Sequence, residues 1–88
     1  MKTVRVFVGK RGPHAYALQI IKAFINGAEA VEVEARGRFI NSAVPAVFIA
    51  KQMVNFEIAD VKSDAVFYEG QGGLKRLVPV LNIRLIRA

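Results

Sequence analysis

Val4, Val6 and Val8 alternate with Arg5 and Phe7, the period-two pattern of a strand with one buried face. Gly9-Lys10-Arg11-Gly12-Pro13 interrupts it with a basic loop whose proline suits the first position of a helix. From His14 to about Asn26, Ala17, Ile20, Ile21, Phe24 and Ala28 recur at spacings of three and four, while Gln19, Lys22 and Asn26 fall opposite. That is an amphipathic helix, which Asn26-Gly27 terminates. Val31, Val33 and Ala35 then alternate with Glu32 and Glu34 as a second strand, and Arg36-Gly37-Arg38 makes a second basic loop. Asn41 or Ser42 is suited to cap a second helix running to about Val54, with Pro45 in its first turn, where a missing amide donor costs little. Ala43, Ala46, Val47, Ala50 and Val54 form its buried stripe. Asn41, Lys51, Gln52 and Asn55 lie opposite, and Val44 and Phe48 project among them. Phe56 to Arg87 reads as two long strands around the glycine-rich tip Glu69-Gly70-Gln71-Gly72-Gly73. Pro79 cannot donate to a ladder, so the last strand is expected at an edge or with a bulge there. The pattern is βαβαββ: one domain over residues 1–88, an α+β two-layer sandwich with a long β-hairpin arm.

Composition adds a partner to this picture. In 88 residues a chain buries about 60–65% of its unfolded surface, which leaves stability marginal without staples. Cysteine is absent, whereas hydrophobic residues reach 53%, a share that points to self-association as the extra source of burial. Thirteen Lys and Arg against seven Asp and Glu give +6, which favours a polyanion. Lys22 and Lys51 break the longest apolar stretches below the roughly 20 residues a membrane helix needs, so no membrane role is expected. The start alternates like a strand and lacks the apolar run of a signal peptide, which points to a cytoplasmic protein.

Catalysis fails on inventory. Ser42 and Ser63 are the only serines, and His14 is the sole histidine, at a helix entrance where a solvated or packing role suffices. No metal or other cofactor is expected. Glu32 and Glu34 share a strand face and read as its polar side. Gly9-Lys10-Arg11-Gly12 is neither a Walker nor a Rossmann loop, and Gly70-Gln71-Gly72-Gly73 reads as a turn. The basic residues are more informative. Loops that follow neighbouring parallel strands leave a sheet at the same end, so Lys10 and Arg11 would approach Arg36 and Arg38 in one positive ridge. Lys75 and Arg76 would add a third patch from the arm.

Two segments carry a family resemblance. Val8-Gly9-Lys10-Arg11 with Tyr16, and Ala35-Arg36-Gly37-Arg38 followed by Ile40 and Ala43-Val44, resemble the Alba family of archaeal DNA- and RNA-binding chromatin proteins, and the element order agrees along the chain. The resemblance implies an initiation-factor-C-terminal-like sandwich, a homodimer or a heterodimer with a paralogue, and hairpin arms that embrace a duplex. It makes Lys10, Arg11, Arg36 and Arg38 the central contacts, with Lys10 a candidate for acetylation. The chain departs from the family at Gly12-Pro13, in a less basic second helix, and at Val54, where the family carries a phenylalanine used in dimer–dimer contact. Val44 and Phe48 are then expected to offer a different association surface, separate from the dimer contact. The expected function is a chromosome-associated architectural protein that coats double-stranded DNA, or RNA, through phosphates and with little sequence preference. The alternative is a protein-interaction or RNA-binding subunit of a ribonucleoprotein complex.

Overall fold

A computed structural model describes residues 2–88, the Gln71 side chain excepted. The elements are β1 (Thr3–Val8), α1 (Pro13–Ile25), β2 (Ala30–Arg36), α2 (Ile40–Lys51), β3 (Phe56–Glu69) and β4 (Lys75–Arg87), with 3₁₀ turns at Gly37–Phe39 and Gln71–Gly73. The expected order holds. α1 opens at Pro13 behind Gly12, whose φ of 88° a side chain would resist, and the Asn26 amide closes it on the Lys22 carbonyl at 2.9 Å.

The start of α2 differs from expectation. Asn41 and Ser42 lie inside the helix and neither caps it, because the 3₁₀ turn at Gly37–Phe39 runs straight into Ile40. Pro45 consequently sits in the second turn, where it withholds an amide from the Asn41 carbonyl. The helix also stops at Lys51, short of Val54: the Met53 and Val54 amides both close on the Ala50 carbonyl at 3.0 Å.

The four strands lie in the order β1-β2-β4-β3, with β1 and β2 parallel and β4 antiparallel to β2 and β3. β4 is thus an inner strand through Val80–Ile86, which corrects the expectation of an edge for the strand as a whole. Pro79 stands one residue beyond the last β2 partner, Val80, where β4 keeps a neighbour on one side alone and a missing donor is tolerated. The bulge occurs elsewhere, as a register shift between Ile58 and Asp60 of β3.

Both helices cover one sheet face. Val6, Val8, Val31, Val33, Ala35, Ile83 and Leu85 from the strands meet Ala17, Ile20, Phe24, Ala43, Ala46, Val47 and Ala50 from the helices in one buried cluster. Phe24 and Phe56 stack within it, ring centres 5.2 Å apart. Arg87 fastens the last strand to the end of α1, donating to the Phe24 carbonyl and, at 3.0 and 3.2 Å, to that of Ala28. The opposite face is polar, as the Glu32 and Glu34 alternation predicts: Glu32 pairs with Arg5 at 3.3 Å and with Arg84 at 3.1 Å, and Glu34 with Arg36 at 3.5 Å.

Phe56 is 1% exposed and holds both the aromatic stack and the root of β3. Phe56→Ala is expected to cost about 3–5 kcal/mol, read as a lowered urea midpoint at fixed protein concentration.

Candidate nucleic-acid interface

Register decides where the charges go. Val8 pairs with Ala35, so β1 and β2 end together and their loops leave the sheet side by side. Arg36 pairs with Val80, and Val80 with Asp64. Beyond that level β3 and β4 continue together from the Ala65–Pro79 pair to Glu69–Lys75, and they do so at the same end of the sheet as the two loops. At about 3.3 Å per residue these five rungs carry the hairpin about 17 Å past β2. The molecule is accordingly elongated, 47 Å along its longest axis against 24 and 16 Å across.

Lys10, Arg11, Arg36 and Arg38 are all exposed at this end, as the sequence pattern predicts. Lys75 and Arg76 stand farther out on the arm, opposite Glu69 and Tyr68. Among the described residues Lys10, Arg11 and Arg38 form no ion pair.

The first loop is braced from below. Tyr16 is buried on α1, and its hydroxyl accepts the Arg11 amide at 3.4 Å. The same oxygen lies 3.1 Å from where a Cβ on residue 9 would stand, which is why glycine fits there. In the second loop, Arg38 lies over the Phe39 ring, 5.1 Å from its centre. Arg36 donates to the Tyr68 hydroxyl at 2.5 Å, and this contact, reinforced by Glu34, raises the guanidinium pKa above its ordinary value. Arg36 is therefore a permanent cation that also joins the second loop to the arm. Tyr68 was not singled out by the sequence pattern, since its partner lies 32 residues away and no local periodicity marks the pair.

Val44 and Phe48 sit differently from their expected surroundings. They form one wall of an apolar groove of about 290 Å³, completed by Val47, Ile58, Val61, Leu81 and Ile83. The bulge builds its far wall: Ile58 pairs with Leu85 and Val61 with Ile83, so the offset between them returns Val61 to the helix side. Without that extra residue the strand's alternation would turn Val61 toward the open face.

The opposite face holds a polar cleft lined by Glu32, Asp60, Lys62, Asn82 and Arg84. Among the described residues no group of three or more His, Cys, Asp or Glu is placed to hold a metal ion. No helix is long and apolar enough to cross a membrane.

No family model matches the chain. It is 32% identical over 89 residues to the DNA/RNA-binding protein Alba of Nanoarchaeum equitans, covering 93% of this chain and 96% of that protein. It is 37% identical over 67 residues to the protein of the same name from Methanoculleus marisnigri, covering 76% and 70%. The solved structure of Alba from Thermoplasma volcanium matches with a TM-score of 0.86 at 27% identity, over 94% of this chain and 99% of that one. ALBA1 from Trypanosoma brucei shares the fold, with a TM-score of 0.75 at 22% identity over 96% and 68%.

Tyr16→Phe removes the acceptor beneath the first loop and keeps the ring. Faster amide hydrogen exchange at Arg11 is expected, with a stability loss of about 0.5–1 kcal/mol. Exchange at the wild-type rate would show that the hydroxyl does not brace the loop.

Proposed function

Because the chain belongs to the Alba family, we propose that it is a dimeric architectural protein that coats double-stranded DNA through phosphate contacts, with little sequence preference and on the chromosome. Lys10, Arg11, Arg36 and Arg38 hold the phosphates, and Lys75 and Arg76 add contacts from the arm. The observation that carries this reading is the shared register of β1, β2 and β4, through which two basic loops and a projecting hairpin leave one end of one sheet. Flexible cations on loops suit the uniform phosphate backbone, whereas base discrimination demands donors and acceptors held in fixed geometry. The same chemistry extends to RNA phosphates, in keeping with relatives named for both nucleic acids. Lys10, exposed at the crest of the ridge, is the candidate for acetylation, which removes its charge and weakens binding.

The dimer is supported by the apolar groove. Phe48 is 54% exposed and Val61 equally so on facing walls, a contiguous apolar surface of the kind that monomers rarely leave to water. Its occupant in this reading is a second copy of the chain or a paralogue. Two such protomers double the number of phosphates engaged and set two arms on one duplex.

A salt titration against unrelated duplex sequences, a single strand and a structured RNA tests the binding. Each neutralised phosphate adds about 0.9 to the slope of log affinity against log salt on duplex DNA. Replacing Lys10 and Arg11 together by alanine is expected to flatten that slope and to weaken all duplexes by similar factors. An unchanged slope would remove the first loop from the interface. Phe48→Glu is expected to convert the dimer to monomer in sedimentation at micromolar concentration. A dimer that survives the change would place its contact elsewhere.

A further inference from the structure

The arm carries more apolar surface than phosphate binding uses. Between Ala65 and Pro79 the charged residues are Glu69, Lys75 and Arg76, a net charge of +1. Phe67 and Leu77 face each other across the ladder and are 71% and 58% exposed, and Leu74 at the tip is 74% exposed. Leu74 is held in place. Its carbonyl accepts the Gly70 amide at 2.7 Å, closing a tip in which Gly72 and Gly73 take φ of 76° and 75°. Gly70, Gly72 and Gly73 keep that tip thin, so Leu74 projects from a narrow, fixed support directly before Lys75 and Arg76.

We propose that Leu74 is an apolar wedge which enters a base step of duplex DNA from the groove, so that the protein bends the duplex it coats. The inference rests on the DNA-binding reading above and adds how the arm engages the substrate. The reach fits: the tip stands about 17 Å beyond the ridge, more than the roughly 6 Å and 12 Å widths of the two grooves, so an arm rooted among phosphate contacts extends to an adjoining groove. The charge fits as well, because Lys75 and Arg76 flank the leucine where phosphates border the groove, and Arg36 fixes the arm's root through Tyr68. Apolar side chains inserted at base steps unstack them partially and kink the duplex by about 20–90°, toward the major groove when they enter from the minor one. The energy of bending is returned by added contact, so wedge loss alters DNA shape more than affinity.

The experiment compares the wild-type chain, Leu74→Ser and the Lys75→Ala/Arg76→Ala pair on a short duplex labelled at both ends for energy transfer. Affinity, salt slope and sedimentation are measured on the same proteins. The wild type is expected to raise energy transfer on binding. Leu74→Ser should bind within about threefold of wild type, as an exposed substitution does, with the same salt slope and most of the bend lost. The basic pair should show the reverse emphasis, weaker binding and a flatter slope. A wild type that binds without bending, or a Leu74→Ser variant that bends equally, overturns the wedge and leaves phosphate binding standing. Dissociation of the dimer by Leu74→Ser also overturns it, because the tip then packs on a second copy. Failure of the wild type to bind any duplex refutes the DNA-binding reading itself, and the wedge with it.

Discussion

β4 is hydrogen-bonded on both sides along Val80–Ile86, to β2 and to β3, and the position of every functional group follows from that double pairing. β2 leaves the sheet at Arg36 because Gly37, at φ 57°, turns the chain away. β3 and β4 have no such interruption at that level, and they outrun the body as a two-stranded ribbon. The arm is therefore the unmatched remainder of two strands whose inner halves are fixed by a core. Its root needs no separate anchor. Leu85 and Ile83 are buried beneath the helices, and Arg87 secures the far end to the carbonyls of α1.

The same sheet separates charge. On the open face carboxylates and cations are interleaved, with Glu32 between Arg5 and Arg84 and Asp60 beside Lys62. Such exposed pairs contribute about 0–1 kcal/mol each, so their main effect is to cancel the field over that face. At the loop end the balance is lost, because Lys10, Arg11 and Arg38 have no such neighbours among the described residues. A molecule of +6 thus concentrates its unmatched charge where the arm also projects. A polyanion meets an oriented potential and not a uniformly basic surface.

How much of this was legible in the sequence follows the range of the interactions involved. Valine alternation in β1 and β2, the stripe of α1 and the glycine-rich tip are local signals, and all lie where the pattern puts them. Clustering of Lys10, Arg11, Arg36 and Arg38 was legible because a parallel βαβ unit leaves the loops little choice of end. The start of α2 was not, since a 3₁₀ turn leading into a helix supplies what a capping Asn41 or Ser42 would have supplied. Pro79 was half legible. Its missing donor required an open neighbour, but whether the whole strand or only its outer part lacks one depends on where β2 stops. The Arg36–Tyr68 contact and the groove depend on pairings across 32 residues and on a one-residue offset, which no window of sequence displays.

That offset has an effect at the rim of the sheet too. β3 is an outer strand of 14 residues, long enough to serve as a template for strand addition by another chain. A guest strand would have to reproduce the break between Ile58 and Asp60 to stay in register, and past it would meet Asp60, Lys62 and Asp64 at alternate positions. A protein held at high density along a polymer brings many such rims close together. One extra residue in β3 thus leaves the rim a poor seed for fibrous growth.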